Sequence, residues 1–239
     1  MQRILALWMS DMKNILRDSI LLIGLIGPIL FSLLVKFGLP SLEDFLFDQY
    51  NWELVPHYPF ILSIVLLMTP LTVGMLMGFM LLEDRDENML LYYSVTPLTK
   101  SGYLLYKTAS IMMVTFLVSF MVIYLCNLLD IELVWLLPIN LLISLETPII
   151  ALFIASFASN KVEGLALSKV TSVLLIVPFA VYFMDSSWVY VAGLLPPYWI
   201  TFSMLRIGTS DFWMLIVGGL LVHLIYLGVL NRIFQRKIE

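Results

Sequence analysis

Glu146 is the acid that lies deepest in an apolar stretch of this 239-residue chain, within ISLETPIIALF. An ionisable side chain at that depth is costly unless it faces protein or a water-filled cavity. Two roles suit it. It can contact a substrate or a proton along a pathway, or it can act as interhelical glue beside Thr147, with Pro148 bending the helix locally. Asn140 lies on the same stretch, six residues earlier and off the face of Glu146. Met75 belongs to a Met-rich run with Met68, Met77 and Met80, whose flexible thioethers suit varied greasy substrates. Glu146, Asn140 and Met75 form the candidate pathway set.

Enzyme signatures are missing from the sequence. His57 and His223 are far apart, with no HExxH partner and no metal-like spacing, so they read as packing or interface residues. No GxSxG, paired CxxC or Walker-type phosphate loop occurs, so no metal site is expected and the chain carries no known loop chemistry for hydrolysing ATP. The single cysteine, Cys126, excludes an internal disulfide framework and reads as a small packing residue.

The second constellation is Glu83 to Lys107, EDRDENMLLYYSVTPLTKSGYLLYK. Glu83, Asp84, Asp86 and Glu87 flank one Arg at the end of a long apolar helix. A helix C-terminus disfavours negative charge, so these acids do not serve their own helix. Met89 to Ser94 can then form a short surface helix with Leu90 and Leu91 on its apolar side, and Pro97 stops it. A charged, partly helical loop of this kind suits docking of a cytoplasmic partner.

The elements that position these residues follow from composition. The chain is 61% hydrophobic and 13% charged, with mean hydropathy +0.99. Soluble domains average about 45–50% apolar and about 25% charged, so this is a membrane protein. Six apolar runs are long enough to cross a roughly 30 Å hydrocarbon core: Ile20–Gly38, Pro59–Leu82, Tyr103–Leu128, Leu133–Phe157, Leu165–Phe183 and Phe212–Leu230. They are expected to be helices, which satisfy their own backbone in lipid. The expected fold class is therefore an all-α membrane protein of six transmembrane helices. Residues 19–239 make the transmembrane domain. Residues 1–18 recur with Leu5, Trp8, Met12, Ile15 and Leu16 at helical spacing, and read as an N-terminal amphipathic interfacial helix. No cleavable signal peptide is expected, since the first 17 residues carry charges throughout.

Lys and Arg set the orientation. With both termini cytoplasmic, 11 of the 13 basic residues lie on or beside the cytoplasmic side. Lys36 and Arg206 lie outward, and the outer connections are acidic. Trp52, Trp135, Trp188 and Trp213 mark outer helix ends. Lys107 and Lys169 sit inside cytoplasmic ends and can snorkel to headgroups or meet a partner's acids. The first outer connection runs from Leu39 to Tyr58. The third, Met184 to Asp211 with a re-entrant segment at about 186–208, is apolar, and Pro196 and Pro197 forbid one continuous helix there. Short re-entrant helices before the last span fit it better than an aqueous loop. Gly74 and Gly78, in GMLMG, allow close helix packing within the subunit or between two copies.

These phrases, taken in order, resemble one family. An acidic span end, a short helix, Thr96-Pro97-Leu98, and Tyr103 to Lys107 entering the third span resemble permease subunits of type-two ABC exporters. An amphipathic opening helix, NKVEG at Asn160 to Gly164, and LPPYW at Leu195 to Trp199 extend the resemblance over essentially the whole chain. It is nearest to small drug exporters, fluoroquinolone-type included. The resemblance implies a prokaryotic inner-membrane, multi-pass permease that pairs with a second permease as homodimer or heterodimer. Two copies of a separate ABC ATPase would bind below, carrying ATP and magnesium; no cofactor is expected in this chain and no nucleic acid among its partners. It makes about 83–96 a coupling helix, with Glu83, Asp84, Asp86, Glu87, Leu90, Leu91 and Pro97 receiving the ATPase's motion, and makes the region of Pro196 and Pro197 the re-entrant pair. No large extracellular domain interrupts the chain, unlike lipoprotein- or macrolide-handling relatives of that class.

The expected function is ATP-driven export of a hydrophobic or amphiphilic substrate: drug, antibiotic, peptide or lipid. The alternatives are a proton-coupled secondary transporter using Glu146, or a non-transporting membrane anchor for an ATPase. An intramembrane enzyme lacks any supporting constellation.

Overall fold

The computed structural model describes residues 19–87 and 99–237, with isolated positions at 13, 17 and 89. The N-terminal helix expected over 1–18 and most of the coupling segment, including Leu90, Leu91 and Pro97, lie outside the described residues. Among the described residues the chain is helical, with no strand, and six helices are long and apolar enough to cross a membrane.

The first, α1, runs Ser19–Tyr50, then a 3-10 turn at Val55–His57 leads into α2, Tyr58–Asp86. Then come α3, Thr99–Cys126, and α4, Leu133–Phe157. The fifth span is composite: α5, Lys161–Ser172, a 3-10 turn at Val173–Leu175, and α6, Ile176–Phe183. A 3-10 stretch, Ser187–Leu194, precedes α7, Pro196–Leu205, and α8, Phe212–Lys237, closes the fold.

The first boundary differs from expectation. The residues from Leu39 to Tyr50 continue α1 rather than forming a connection. At 1.5 Å per residue its 32 residues reach roughly 48 Å, beyond a hydrocarbon core of about 30 Å. The acids Glu43, Asp44 and Asp48 sit on that extension, and Tyr58 at the start of α2 donates to Glu43 at 2.6 Å. Asn51, at φ 51°, ends the helix, and Asn127, at φ 49°, ends α3 in the same way. Pro28, Pro40, Pro70, Pro138 and Pro148 are all carried inside continuous helices. In the fifth span the 3-10 turn falls just before Pro178, which has no N–H for the preceding turn.

Two helices form the centre. Of their most apolar windows, 72% of the window in α2 and 78% of that in α4 is buried, against 28–33% in the other spans. The glycines explain the closeness of this pair. A Cβ on Gly74 would lie 2.8 Å from the Thr147 carbonyl oxygen and 2.9 Å from Ile150 Cβ. One turn on, a Cβ on Gly78 would lie 2.9 Å from Ile154 Cβ. The GMLMG motif therefore packs within the subunit, bringing α2 and α4 into backbone contact. Without an apolar driving force between helices in lipid, such close approach is what holds spans together. The outer helices turn large apolar side chains outward, such as Ile23, Leu105, Met113, Phe183 and Ile225. That surface is what a bilayer covers.

Candidate functional site

Two regions hold the candidate site residues: one end of the bundle, and a crevice halfway along it.

At the charged end, the last turn of α2 is tied to its neighbours. The Arg85 guanidinium reaches across to the C-terminus of α4. Its Nη1 donates to Ala155 O at 3.2 Å and Ala158 O at 3.0 Å, and its Nη2 to Ser159 O at 2.9 Å. Lys237, at the end of α8, donates to Ser156 O at 2.9 Å and Ala158 O at 3.1 Å. Two cations thus cap the carbonyls that any helix end leaves over, where the macrodipole favours positive charge. The following NKVEG phrase starts α5 with a reciprocal cap. Asn160 Oδ1 accepts from Glu163 N at 3.0 Å, and Glu163 Oε2 accepts from Ser159 N at 2.7 Å.

The acids of the same turn are engaged across helices. Glu83 pairs with Lys161 of α5. Asp84 Oδ2 accepts from the Tyr103 hydroxyl at 2.5 Å and lies 3.4 Å from Lys107 Nζ, both on α3. Lys107 also stands over the Tyr103 ring at 5.4 Å. The snorkelling expected of Lys107 is not what it does: it is 3% exposed and turned inward onto α2. Its counter-charge, Asp84, is close enough to hold it in the interior. Asp86, bonded to Arg85 at 3.2 Å, and Glu87 are the exposed acids of the run. The end of α2 is therefore a knot joining α3, α4 and α5, with α8 held to the same carbonyls.

The crevice lies midway along α4, between the fifth span and α8. It has a volume of about 190 Å³. Glu146 lines it, 1% exposed, and its Oε2 has no hydrogen-bond partner. Val170, Thr171 and Leu174 come from the fifth span, Tyr226 and Leu230 from α8, and Leu195 and Pro196 from the start of α7. Leaving α6 at Phe183, the chain is back at the level of Glu146 by Pro196. The proline pair opens α7 at its first positions, where a missing N–H costs nothing, and Leu195 ahead of it is extended. Trp199 then anchors α7. Its ring fills a notch in α8, where a Cβ on Gly218 would overlap it, and its Nε1 donates to Gly193 O at 2.8 Å.

The structure separates the other two members of the pathway set from Glu146. Asn140 is fully buried and its Nδ2 donates to Phe116 O at 3.0 Å, which ties α4 to α3. Met75 packs among apolar residues on α2. Neither lines the crevice. Sequence reading passed over Arg85, Thr171 and Tyr226 as site residues. No local pattern marks them: the carbonyls held by Arg85 lie 70 to 74 positions away. At the far end, His57 bonds the Tyr182 hydroxyl and stacks on Trp52, as a packing residue. His223 is buried, its Nδ1 2.7 Å from Gly219 O. Among the described residues no His, Cys, Asp and Glu cluster could hold a metal ion.

Residues 11–231 match a family described as fluoroquinolones export permease protein Rv2686c-like. Two curated relatives from Mycobacterium tuberculosis are similar over nearly their whole length. The fluoroquinolones export permease proteins Rv2686c (strain H37Rv) and MT2760 (strain CDC 1551) are each 31% identical over 232 residues, 95% of this chain and 92% of theirs.

Proposed function

This chain belongs to the Rv2686c-like family of fluoroquinolone export permeases, and on that premise we propose that it is the membrane-spanning subunit of an ATP-driven exporter. Its cargo is a hydrophobic or amphiphilic drug-like molecule moved out of the cytoplasm or the inner leaflet. ATP and magnesium are handled by a separate ABC ATPase, two copies of which dock at the charged end, beneath a pair of permeases in the prokaryotic inner membrane. Both termini are then cytoplasmic. Glu83, Asp84, Asp86, Glu87, Leu90, Leu91 and Pro97 form the coupling segment. The stretch from Ser187 to Leu205 is the re-entrant pair, with Pro196 and Pro197 at its deepest point.

The observation that carries the reading is the knot at the end of α2. Asp86 and Glu87 are exposed there, while Glu83, Asp84 and Arg85 hold α3, α4 and α5. A displacement applied at the exposed tip therefore reaches several helices at once. A partner moves such an element only by differential contact in two states, and charged tip residues supply that contact. The glycine-packed α2 and α4 pair then acts as a stiff lever, and the crevice beside α4 is the part that can change shape.

The test is drug uptake into inverted vesicles holding this chain and the ATPase that copurifies with it. Uptake that requires hydrolysable ATP and survives a proton uncoupler supports the reading. Uptake that needs no ATPase and collapses with the proton gradient replaces it with a proton-coupled transporter. Copurification without any uptake leaves an ATPase anchor.

A further inference from the structure

The crevice below Glu146 has a chemical bias that narrows what it accepts. Its lining is hydrocarbon from Leu174, Leu195, Pro196 and Leu230, with Glu146 the one ionisable acid and no Lys, Arg or His among its walls. None of the ion pairs among the described residues involves Glu146. The other polar wall groups are the hydroxyls of Thr171 and Tyr226, and the Thr171 hydroxyl is already committed to Ser168 O at 2.8 Å. A buried carboxyl whose Oε2 meets no donor is a costly arrangement that a bound donor relieves.

We propose that this crevice is a subsite for the cationic end of an amphiphilic molecule, a protonated amine on a flat apolar body, with Glu146 recognising the charge. The assignment rests on the export reading for its biological meaning. Three considerations select this occupant. A water would meet the carboxyl but leave the hydrocarbon walls of Leu174, Leu195 and Leu230 without a partner. A lipid tail would cover the hydrocarbon but leave the carboxyl unmet. An amine on an aromatic or aliphatic ring system satisfies both: N⁺–H donates to the carboxylate, a charge-assisted bond of the stronger kind, while the ring replaces lipid against Leu174 and Leu230. The volume sets the scale. A cavity on the order of 150 Å³ accepts one benzene ring, and whole drug-sized ligands use about 300–1,000 Å³. The crevice at about 190 Å³ thus takes the amine-bearing end of a molecule, not all of it. An anionic head finds no cation in these walls. Pro196 sits on the wall, so any movement of α7 alters the subsite.

The experiment uses the full chain in nanodiscs of zwitterionic lipid, with no ATPase and no nucleotide. Three fluorescent probes share one ring system and differ in the head: 1-naphthylmethylamine, 1-naphthalenemethanol and 1-naphthoate. The unaltered protein is expected to bind the amine about tenfold to a hundredfold more tightly than the alcohol, and the carboxylate least. Glu146→Gln, close in shape, should bring the amine down to the alcohol's affinity and leave the alcohol's own affinity unchanged. Glu146→Asp should keep part of the preference. Thr171→Trp, which fills the crevice from the fifth span, should weaken all three probes, with elution and melting reporting that the variant is folded. Equal binding of amine and alcohol by the unaltered protein overturns the assignment. So does a preference that survives Glu146→Gln, or amine binding that Thr171→Trp leaves intact. Because the assay contains no ATPase, loss of the ATP-driven reading would leave these affinities as they are.

Discussion

Arg85→Ala is the sharpest probe of the knot at the end of α2. Besides the exposed contact with Asp86, the substitution removes three hydrogen bonds donated to backbone carbonyls, Ala155 O, Ala158 O and Ser159 O, at 2.9–3.2 Å. They are not equivalent. Ala158 O keeps its bond from Lys237 at 3.1 Å, so the carbonyls that lose their donor outright are those of Ala155 and Ser159. Ser159 lies at the exposed edge and recovers water, whereas Ala155 is buried in the core. A hydrogen bond to a charged group contributes about 1.5–3 kcal/mol, and a rehydrated carbonyl recovers much of it. Loss of the favourable charge at the α4 C-terminus adds about 0.3–1 kcal/mol. The expected loss is roughly 2–4 kcal/mol, a fall in the thermal midpoint of roughly 4–16 °C for a chain of this size. The assay is thermal unfolding of the purified chain in one detergent, followed by helical circular dichroism and by size-exclusion of heated samples. Arg85→Lys, keeping charge but not the fork, should recover part of the loss. A double-mutant cycle with Lys237→Ala should be non-additive, since both side chains serve Ala158 O. A midpoint within about 1 °C of the unaltered protein for Arg85→Ala, or strict additivity with Lys237→Ala, would refute the reasoning.

Other outcomes follow from the same geometry. Gly74→Val should destabilise the chain by at least about 1–3 kcal/mol, because even its Cβ lies 2.8 Å from Thr147 O; a stable variant in the same melting assay would show that α2 and α4 can separate. Asp86→Lys with Glu87→Lys should leave the melting midpoint nearly unchanged, since exposed charges add little to stability, yet, on the coupling role proposed above, abolish permease-stimulated ATPase activity; unchanged stimulation would withdraw that proposal for these acids. Trp199→Ala should cost about 3–5 kcal/mol and loosen α7, measured as faster hydrogen exchange over Tyr198 to Met204, while Trp199→Phe keeps most of the packing and loses only the bond to Gly193 O.

Much of the architecture was legible because membrane spans are written as local composition. A helix in lipid satisfies its own backbone, so each of the six apolar runs reported its own presence without reference to a neighbour. The glycines at Gly74 and Gly78 and the prolines at Pro196 and Pro197 were legible for the same reason, since backbone room and a missing N–H act locally. The extension of α1 to Tyr50 was not, because its polar turn residues resemble a loop until Tyr58 is seen bonding Glu43. Side-chain chemistry alone also grouped Asn140 and Met75 with Glu146. Only tertiary structure turned Asn140 onto Phe116 O and Met75 into the packing of α2, and brought Thr171, Pro196 and Tyr226 to Glu146 from three other segments. The acids after Glu83 show the division most clearly. Their charge and position at a helix end follow from sequence, but their partners, Lys161 for Glu83 and Lys107 with Tyr103 for Asp84, depend on which helices lie side by side. Electrostatic pairing acts over a few ångströms in space whatever the separation along the chain, so it is decided when the helices pack and not before.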